Sequence, residues 1–459
     1  MRDEINILQE KPSSKFTLKE IRELFGFTLK DSRDILRHVS TDSRLIKPDE
    51  IFLPLSGEKY DGHDFINDVL GKKGCLYSFC EDKKINKVQD LHRDKLIVVE
   101  SALDAYHKLA NHYRKKVNPK VIGITGSSGK TTVKDLISSV LSVKYKTHKT
   151  KANFNNEIGV PKTILEMRED TEVLVLELAM RGKGQIRQLA KVCEPDIAVI
   201  TNVGTAHIGL LGSKESIIKA KCEILEFMKH DGLAILPEDC RDAACRVSAV
   251  KKIFLNIGQA SNIRYEKGET HFKFDGEDFF VPALGKIHVL NSIIAILTAQ
   301  SLNLSYKEIQ KGLSDFKVPA GRGEIIKIKD GVYIIDESYN ANPDSVKEAA
   351  ENLTTCWDQD KSHKKILVLG ELAELGEHRG NLLKELNRQL GKSPDLKVIT
   401  VGSKLNEVTI GENVPDTSTC CAILETLLTP KTVVLIKGSR AAGLEKVVEY
   451  CKCKCKSKE

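Results

Sequence analysis

The 459-residue chain has no uninterrupted apolar stretch of about 18 or more residues, which excludes an ordinary membrane-spanning helix. Its opening, MRDEINILQEKPSSKF, interleaves acids with bases and lacks the apolar core of roughly 7–15 residues that a secretory signal carries, so a cytoplasmic location is expected. CxxC pairs are missing too. The 12 cysteines are scattered along the chain, which suits free thiols in a reducing compartment better than a disulfide framework or a structural zinc site. The terminal CKCKCKSKE reads either as a soft-metal ligand run or as a solvated basic tail. Net charge is small: 71 lysines and arginines against 64 aspartates and glutamates give +7. Residues 446–459 hold five lysines and two glutamates, so +3 of the +7 sits in that tail. The remainder is too weak for a nucleic-acid groove, and neither a nucleic-acid partner nor a membrane span is expected.

What is present is a globular composition, 41% hydrophobic and 29% charged, long enough for roughly two to four domains. Residues 1–115 mix a helical pattern (TLKEIRELFGF, 17–27), strand-like pieces (DEIFLPLSG, 49–57; KLIVVE, 95–100) and the turn-rich GEKYDGHDF, and a helical stretch, 101–117, leads onward. Over 116–318, buried strands (KVIGITG, EVLVLEL, DIAVITN, GLAILPE, KKIFLNIG) alternate with helices, and two apolar helices follow near 288–302 and 306–316. VPAGRGE (318–324) marks a boundary. Over 319–459 the rhythm restarts with GVYIIDES, KKILVLGEL, LKVITVGS and TVVLIKGS, at least four strands. The expected fold is α/β with three domains: a small mixed α/β N-terminal domain, a central P-loop parallel-sheet core and a Rossmann-like C-terminal domain.

The strongest motif is GITGSSGKTT (123–132), set between the strand KVIGI and the amphipathic helix TTVKDLISSVL. A glycine-rich turn opening into a helix offers backbone N–H groups and the positive end of the dipole to phosphate. Gly126, Ser127, Ser128, Gly129, Lys130, Thr131 and Thr132 form that candidate site, with Lys130 aimed at the outer phosphates and the Thr131 hydroxyl at Mg²⁺. One departure from GxxxxGK[ST] stands out: Ile124 occupies the first glycine position. A purely structural strand-to-helix turn is the alternative.

Glu177 ends the strand EVLVLEL, and His207 follows five residues after Asn202 at the end of DIAVITN. Ligands collect at the carboxyl ends of parallel strands, so both are candidate metal ligands; each is also readable as a loop residue in solvent. Lys221, in KESIIKAKCEIL, is by spacing alone a solvent- or phosphate-facing lysine. IIDESYNANPDS (334–345) puts Asp336 and Asn340 at a strand end, as nucleotide or substrate contacts or as turn and cap residues.

Together, GITGSSGKTT, the Glu177 strand end, TNVGTAH (201–207), the AK of KAKCE (219–223) and GRGE before a third α/β domain resemble the Mur ligases over nearly the whole chain. These are ATP-dependent amide-bond-forming enzymes of peptidoglycan precursor synthesis. KANFNNEIGVPKTIL (151–165), DESYNANPDS (336–345) and LGELAELGEH (369–378) are similar to the branch that adds D-alanyl-D-alanine to UDP-muramyl-tripeptide. The branch that adds the third amino acid shares the N-terminal DSR, but its DNPR signature is not found in this chain and SYNANPDS replaces its YAHTPD.

The resemblance implies roles. TDSR (41–44) and GEKYDGHDFI (57–66) hold the UDP-sugar end, with Ser43 and Arg44 as contacts, and Asn153, Asn155 and Asn156 face the muramyl peptide. Lys130, Glu177, His207 and Lys221 form the catalytic set, with Thr131, Glu177, His207 and a carbamylated Lys221 around Mg²⁺. Asn291, Arg322, Asp336 and Asn340 touch ATP; Lys437 and Arg440 of KGSR lie near the incoming dipeptide or the phosphates. Two positions depart from the family pattern. GKIHVLNSIIA (285–295) keeps Asn291 but has Ile287 and His288 where His and Asn are usual, and Gln185 replaces a frequent Glu. The implied reaction passes through an acyl phosphate, without a covalent enzyme nucleophile, in a monomer whose third domain closes over the P-loop. Other amide ligases of the Mur type, a folylpolyglutamate synthase-like ligase and, outside the ligases, a P-loop nucleotide switch remain as alternatives. A guanine-switch N/TKxD motif is not among the strings found: NKVQ (86–89) lacks the Asp and precedes the loop.

Overall fold

The structure is a computed structural model that describes residues 16–27, 37–57, 59–247, 250–266, 268–328, 331–357, 363–373, 375–405 and 407–456. Most of the N-terminal segment, 1–15, and the end of the lysine-rich tail, 457–459, lie outside the described residues. By internal packing the chain divides into two units that interleave along the sequence: residues 1–123, 146–178 and 187–196 form one, and 124–145, 179–186 and 197–459 the other.

The first unit opens with a parallel sheet of short strands, β1 (Val39–Ser40), β2 (Ile51–Phe52), β3 (Tyr77–Glu81) and β4 (Leu96–Val99), side by side in that order. Phe52, Ile66, Val69, Leu70, Cys75 and Cys80 form its core. The GEKYDGHDF segment is fixed by a buried histidine: His63 Nδ1 lies 2.7 Å from Asp61 Oδ1, and its Nε2 accepts the Glu81 N–H at 3.2 Å. The two ring nitrogens thus have opposite roles in a neutral imidazole, and burial holds His63 below its ordinary pKa. The helix Ala102–Val117 starts at a Ser101 cap and stops at Asn118, whose φ of 54° is left-handed.

A six-stranded sheet follows: β5 (Lys120–Thr125), β6 (Thr147–Lys149), β7 (Val173–Glu177), β8 (Ile197–Ile200), β9 (Leu233–Pro237) and β10 (Lys251–Leu255), in the order β10-β9-β8-β5-β7-β6. β7 and β8 are buried along their whole length, as their unbroken Val/Ile/Leu runs require of strands covered on both faces. The strand order reverses at β5, the switch point beside which such sheets bind ligands. Two expected helices are present, Lys286–Ser301 and Tyr306–Ser314. Both pack on the helix Lys130–Leu141, and the second does so through Gly312, where a Cβ would fall 2.3 Å from Val140 Cα.

An antiparallel sheet, β11 (Ala260–Glu266), β12 (Glu269–Phe274) and β13 (Glu277–Val281), stands outside the expected α/β rhythm. Its cue was legible: β12 alternates half-buried with buried residues, and Asp275–Gly276, both at positive φ, makes the tight turn to β13.

The third sheet has six strands, β14 (Glu324–Lys327), β15 (Tyr333–Glu337), β16 (Lys364–Leu369), β17 (Leu396–Val401), β18 (Glu412–Val414) and β19 (Thr432–Lys437), in the order β14-β15-β19-β16-β17-β18. Only the β14–β15 pair is antiparallel. Separate cores cover its faces. One gathers Val346, Leu353, Leu383 and Leu386; the other gathers Cys420, Leu424, Val447 and Cys451. The cysteines among the described residues are free thiols, and burial pushes Cys75, Cys193 and Cys420 up to about 12. Those three are inert packing residues.

Candidate active site

The candidate phosphate loop follows β5. Gly126 has φ 155°, and a Cβ there would lie 1.9 Å from Thr201 Oγ1; Gly129, at φ 75°, occupies the N-cap of Lys130–Leu141. Both positions therefore require glycine, one for space and one for its left-handed backbone. Gly129 at the cap has no side chain of its own to take the first-turn N–H groups, the arrangement that suits an anion. Lys130 Nζ donates to the Gly126 carbonyl at 2.8 Å.

The segment after β8 frames this loop, and here the sequence reading missed two residues. Asn202 accepts the Ser127 N–H on its carbonyl (3.1 Å) and the Ser128 N–H on Oδ1 (2.9 Å), and its Nδ2 donates to Ser128 Oγ (2.7 Å). Thr201 Oγ1 donates to the Ser128 carbonyl at 2.6 Å. The signal was the TN dipeptide immediately after a fully buried strand. His207, farther along the same segment, has φ 66° at the start of the helix Ile208–Leu211.

Lys221 is 1% exposed on the helix Lys214–Cys222. Burial, with the Lys130 ammonium adding repulsion, holds its amine well below the ordinary lysine value. Two residues on, both Glu223 oxygens accept the Gly184 N–H, at 2.8 and 3.1 Å. Gln185 Oε1 accepts the N–H groups of Arg181 and Gly182, at 2.6 and 3.1 Å. That is an acceptor role a glutamate would also fill, so the Gln185 departure leaves the loop intact. Asn291, 3% exposed, stands against the P-loop: a Cβ on Gly129 would lie 3.5 Å from its Oδ1. His288 is buried and pushed down to about 4 by burial. Its Nδ1 has no hydrogen-bond partner among the described residues.

In the third sheet's loops two of the candidate residues meet at a ring. The Arg322 guanidinium lies 3.9 Å and the Arg440 guanidinium 5.5 Å from the Tyr339 centroid, so Tyr339, not singled out from the sequence, gathers both cations. Lys437 Nζ donates to Glu337 Oε2 at 2.5 Å and reaches the Asn340 carbonyl at 3.5 Å. Asp336 is buried and its Oδ1 accepts the Ser338 N–H and hydroxyl, at 3.0 and 2.6 Å, the geometry of a turn-shaping aspartate. Asn340 Oδ1 accepts the Ala341 N–H at 2.9 Å, and the helix Pro343–Thr355 is capped by Asn342.

In the first unit, Asn155 Nδ2 donates to Glu177 Oε1 at 2.9 Å, and the Glu177 N–H is received by Thr150 Oγ1 at 3.0 Å. Asn156 Oδ1 accepts the Ile158 and Gly159 N–H groups, starting the helix Gly159–Glu166. Asn153 gives its carbonyl to the Asn155 N–H. Arg44 forms a two-pronged pair with Asp42, at 2.9 and 2.7 Å, and Lys73 Nζ donates to the Ser43 carbonyl at 2.7 Å.

Among the described residues no three His, Cys, Asp or Glu side chains gather as a metal cluster. Of the candidate set, the Thr131 hydroxyl and the Glu177 carboxylate are the hard oxygen donors that suit Mg²⁺, which takes one or two protein carboxylates and completes its shell with phosphate oxygens and water.

Three family models match the chain: the Mur ligase family catalytic domain at residues 36–119, the Mur ligase middle domain at 124–299, and the Mur ligase glutamate ligase domain at 321–440. The chain is 37% identical to the UDP-N-acetylmuramoyl-tripeptide–D-alanyl-D-alanine ligase of Bacillus subtilis, across 84% of this chain and 85% of that one. It is 28% identical to the ligase of that name from Escherichia coli, across 94% and 97%. Among solved structures, MurF from Acinetobacter baumannii aligns with a TM-score of 0.83 at 29% identity, covering 95% and 99% of the two chains. MurF ligase from Thermotoga maritima in complex with ADP aligns at 0.82 and 28% identity, covering 92% and 99%. The chain belongs to the Mur ligase family.

Proposed function

We propose that this chain is an ATP-dependent carboxylate–amine ligase that joins D-alanyl-D-alanine to UDP-N-acetylmuramoyl-tripeptide in peptidoglycan precursor synthesis. The observation that carries this is the shared activity in the names of relatives aligned over 84% to 95% of the chain. We assign residues 1–115, with Ser43 and Arg44, to the UDP-sugar peptide; 116–318 to ATP; and 319–459, with Lys437 and Arg440, to the dipeptide and the far side of the nucleotide. Asn153, Asn155 and Asn156 belong to the muramyl peptide's side of the site. Asn291, Arg322, Asp336 and Asn340 hold the nucleotide. No helix among the described residues is long and apolar enough to cross a membrane, and we place the enzyme in the cytoplasm, as a monomer.

A carboxylate resists attack by an amine, so the γ-phosphoryl group of ATP passes first to the tripeptide's terminal carboxylate, giving an acyl phosphate and ADP. The dipeptide amine then attacks the carbonyl carbon, loses its proton, and phosphate departs. The chain's task is to hold anionic groups together and to spread the charge that develops. Lys130 and the loop amides do this at the phosphates. Thr131, Glu177, His207 and Lys221 would hold Mg²⁺, which when bound neutralises phosphate charge. The lowered basicity of Lys221 favours the neutral amine, which can add CO₂ with release of a proton to solvent, and the resulting carbamate would supply an anionic oxygen where a lysine otherwise offers none.

Phosphate release from ATP, measured with the UDP-muramyl-tripeptide present and the dipeptide added or withheld, tests the proposal. Dipeptide-dependent release with a pentapeptide product is expected. Release indifferent to the dipeptide, with no new amide, would overturn it.

A further inference from the structure

A single carboxylate ties the third domain to the segment that frames the phosphate loop. Asp344, in the first turn of Pro343–Thr355, accepts at Oδ2 both the backbone N–H and the hydroxyl of Thr205, each at 2.7 Å. Its neighbour Gly204 leaves no space to spare, since a Cβ there would lie 2.8 Å from the same oxygen. The Gly204 N–H donates in turn to Ser127 Oγ at 2.9 Å, inside the phosphate loop. Two residues beyond Thr205 stands His207 at φ 66°, a conformation that a non-glycine residue keeps only where its surroundings impose it. The approach is supported on either side by glycines. A Cβ on Gly376 would lie 2.9 Å from Gly209 Cα, and one on Gly285 would lie 2.5 Å from Asn352 Nδ2.

We propose that Asp344 is a positioning residue for nucleotide binding: through Thr205 it fixes the Gly204–His207 segment and the Ser127 hydroxyl, so that the phosphate loop takes its working form when the third domain is docked. The proposal builds on the ATP-dependent reading of the same site. Asp344 itself touches none of the reacting groups. A carboxylate in a first helical turn also favours the helix dipole, so the test must separate the two roles.

The full-length chain and the variants Asp344→Ala, Asp344→Asn, Thr205→Val and Asp344→Ala/Thr205→Val are compared for the KM of ATP, the KM of the UDP-sugar peptide, and ADP affinity by calorimetry. Asp344→Ala is expected to raise the ATP KM and the ADP Kd by about tenfold, the loss of a hydrogen bond to a charged group. Thr205→Val, which keeps the backbone N–H, raises both by about threefold. The double variant is no worse than Asp344→Ala, because both changes break one interaction. Asp344→Asn keeps an oxygen acceptor and recovers most of the affinity, and the KM of the UDP-sugar peptide stays within about twofold throughout. A parent-like nucleotide affinity in a folded Asp344→Ala, or effects that multiply in the double variant, would overturn the proposal. Should Asp344→Ala not fold, a parent-like ADP Kd in Thr205→Val does so instead. An inactive parent with both co-substrates would sink the ligase reading, while the ADP affinities still decide the role of Asp344.

Discussion

Individual side chains set a pH response that can be read from the third domain. Glu348 is pushed up to about 7, first by burial and then by the Glu337 carboxylate beside it. Between the ordinary glutamate value of 4.5 and about 7, the folded chain keeps a proton that the unfolded chain has released. Stability therefore falls as pH rises through that window, and the cost is complete above it. Glu348→Gln should thus raise stability at pH 8 by roughly 1–3 kcal/mol, discounted for partial exposure, and change it little at pH 4.5. A melting-temperature gain that is the same at both pH values would contradict this. At this scale the sequence was a good guide wherever a residue type is chemically committed. Gly126 and Gly129 have the positive φ or the lack of room that calls for glycine. It was a poor guide where a role depends on a partner distant in sequence: Asn202 bracing Ser128, Tyr339 gathering Arg322 and Arg440, and Thr205 held by Asp344. No local pattern announces such pairs, because the fold alone brings them together.

Elements were legible in proportion to their regularity. The buried strands β5, β7, β8, β16, β17 and β19 and the helices between them follow directly from long apolar runs broken by capping residues. The strands of β11–β13 alternate and are half exposed, so no apolar run marks them even though Asp275–Gly276 does. One close approach between elements gives a sharp test. Gly312→Ala puts a methyl group into the backbone of the helix that carries the phosphate loop, 2.3 Å from Val140 Cα. Overpacking of this kind costs about 1–3 kcal/mol, and because the atom met is backbone the upper part of that range is expected. Chemical denaturation should show a lower midpoint with an unchanged slope; a parent-like midpoint would mean that the two helices separate freely.

At the scale of the whole molecule, the glycine-lined meeting of the third domain with the segment after β8 is the contact that a closure prediction bears on. Small-angle scattering is expected to show a smaller radius of gyration when a non-hydrolysable ATP analogue and both co-substrates are present together. Identical curves would contradict domain closure. The interleaving of the two packing units bears on something else, the order in which the chain can be completed. Residues 146–178 and 187–196 belong with the N-terminal 123 residues, so the first unit cannot finish folding until residue 196 has emerged from the ribosome. By then the whole helix Lys130–Leu141 has been made without its partner helices, which lie after residue 285. A fragment ending at residue 123 would therefore expose surfaces that residues 146–178 and 187–196 cover in the full chain, an exposure that favours aggregation over folding.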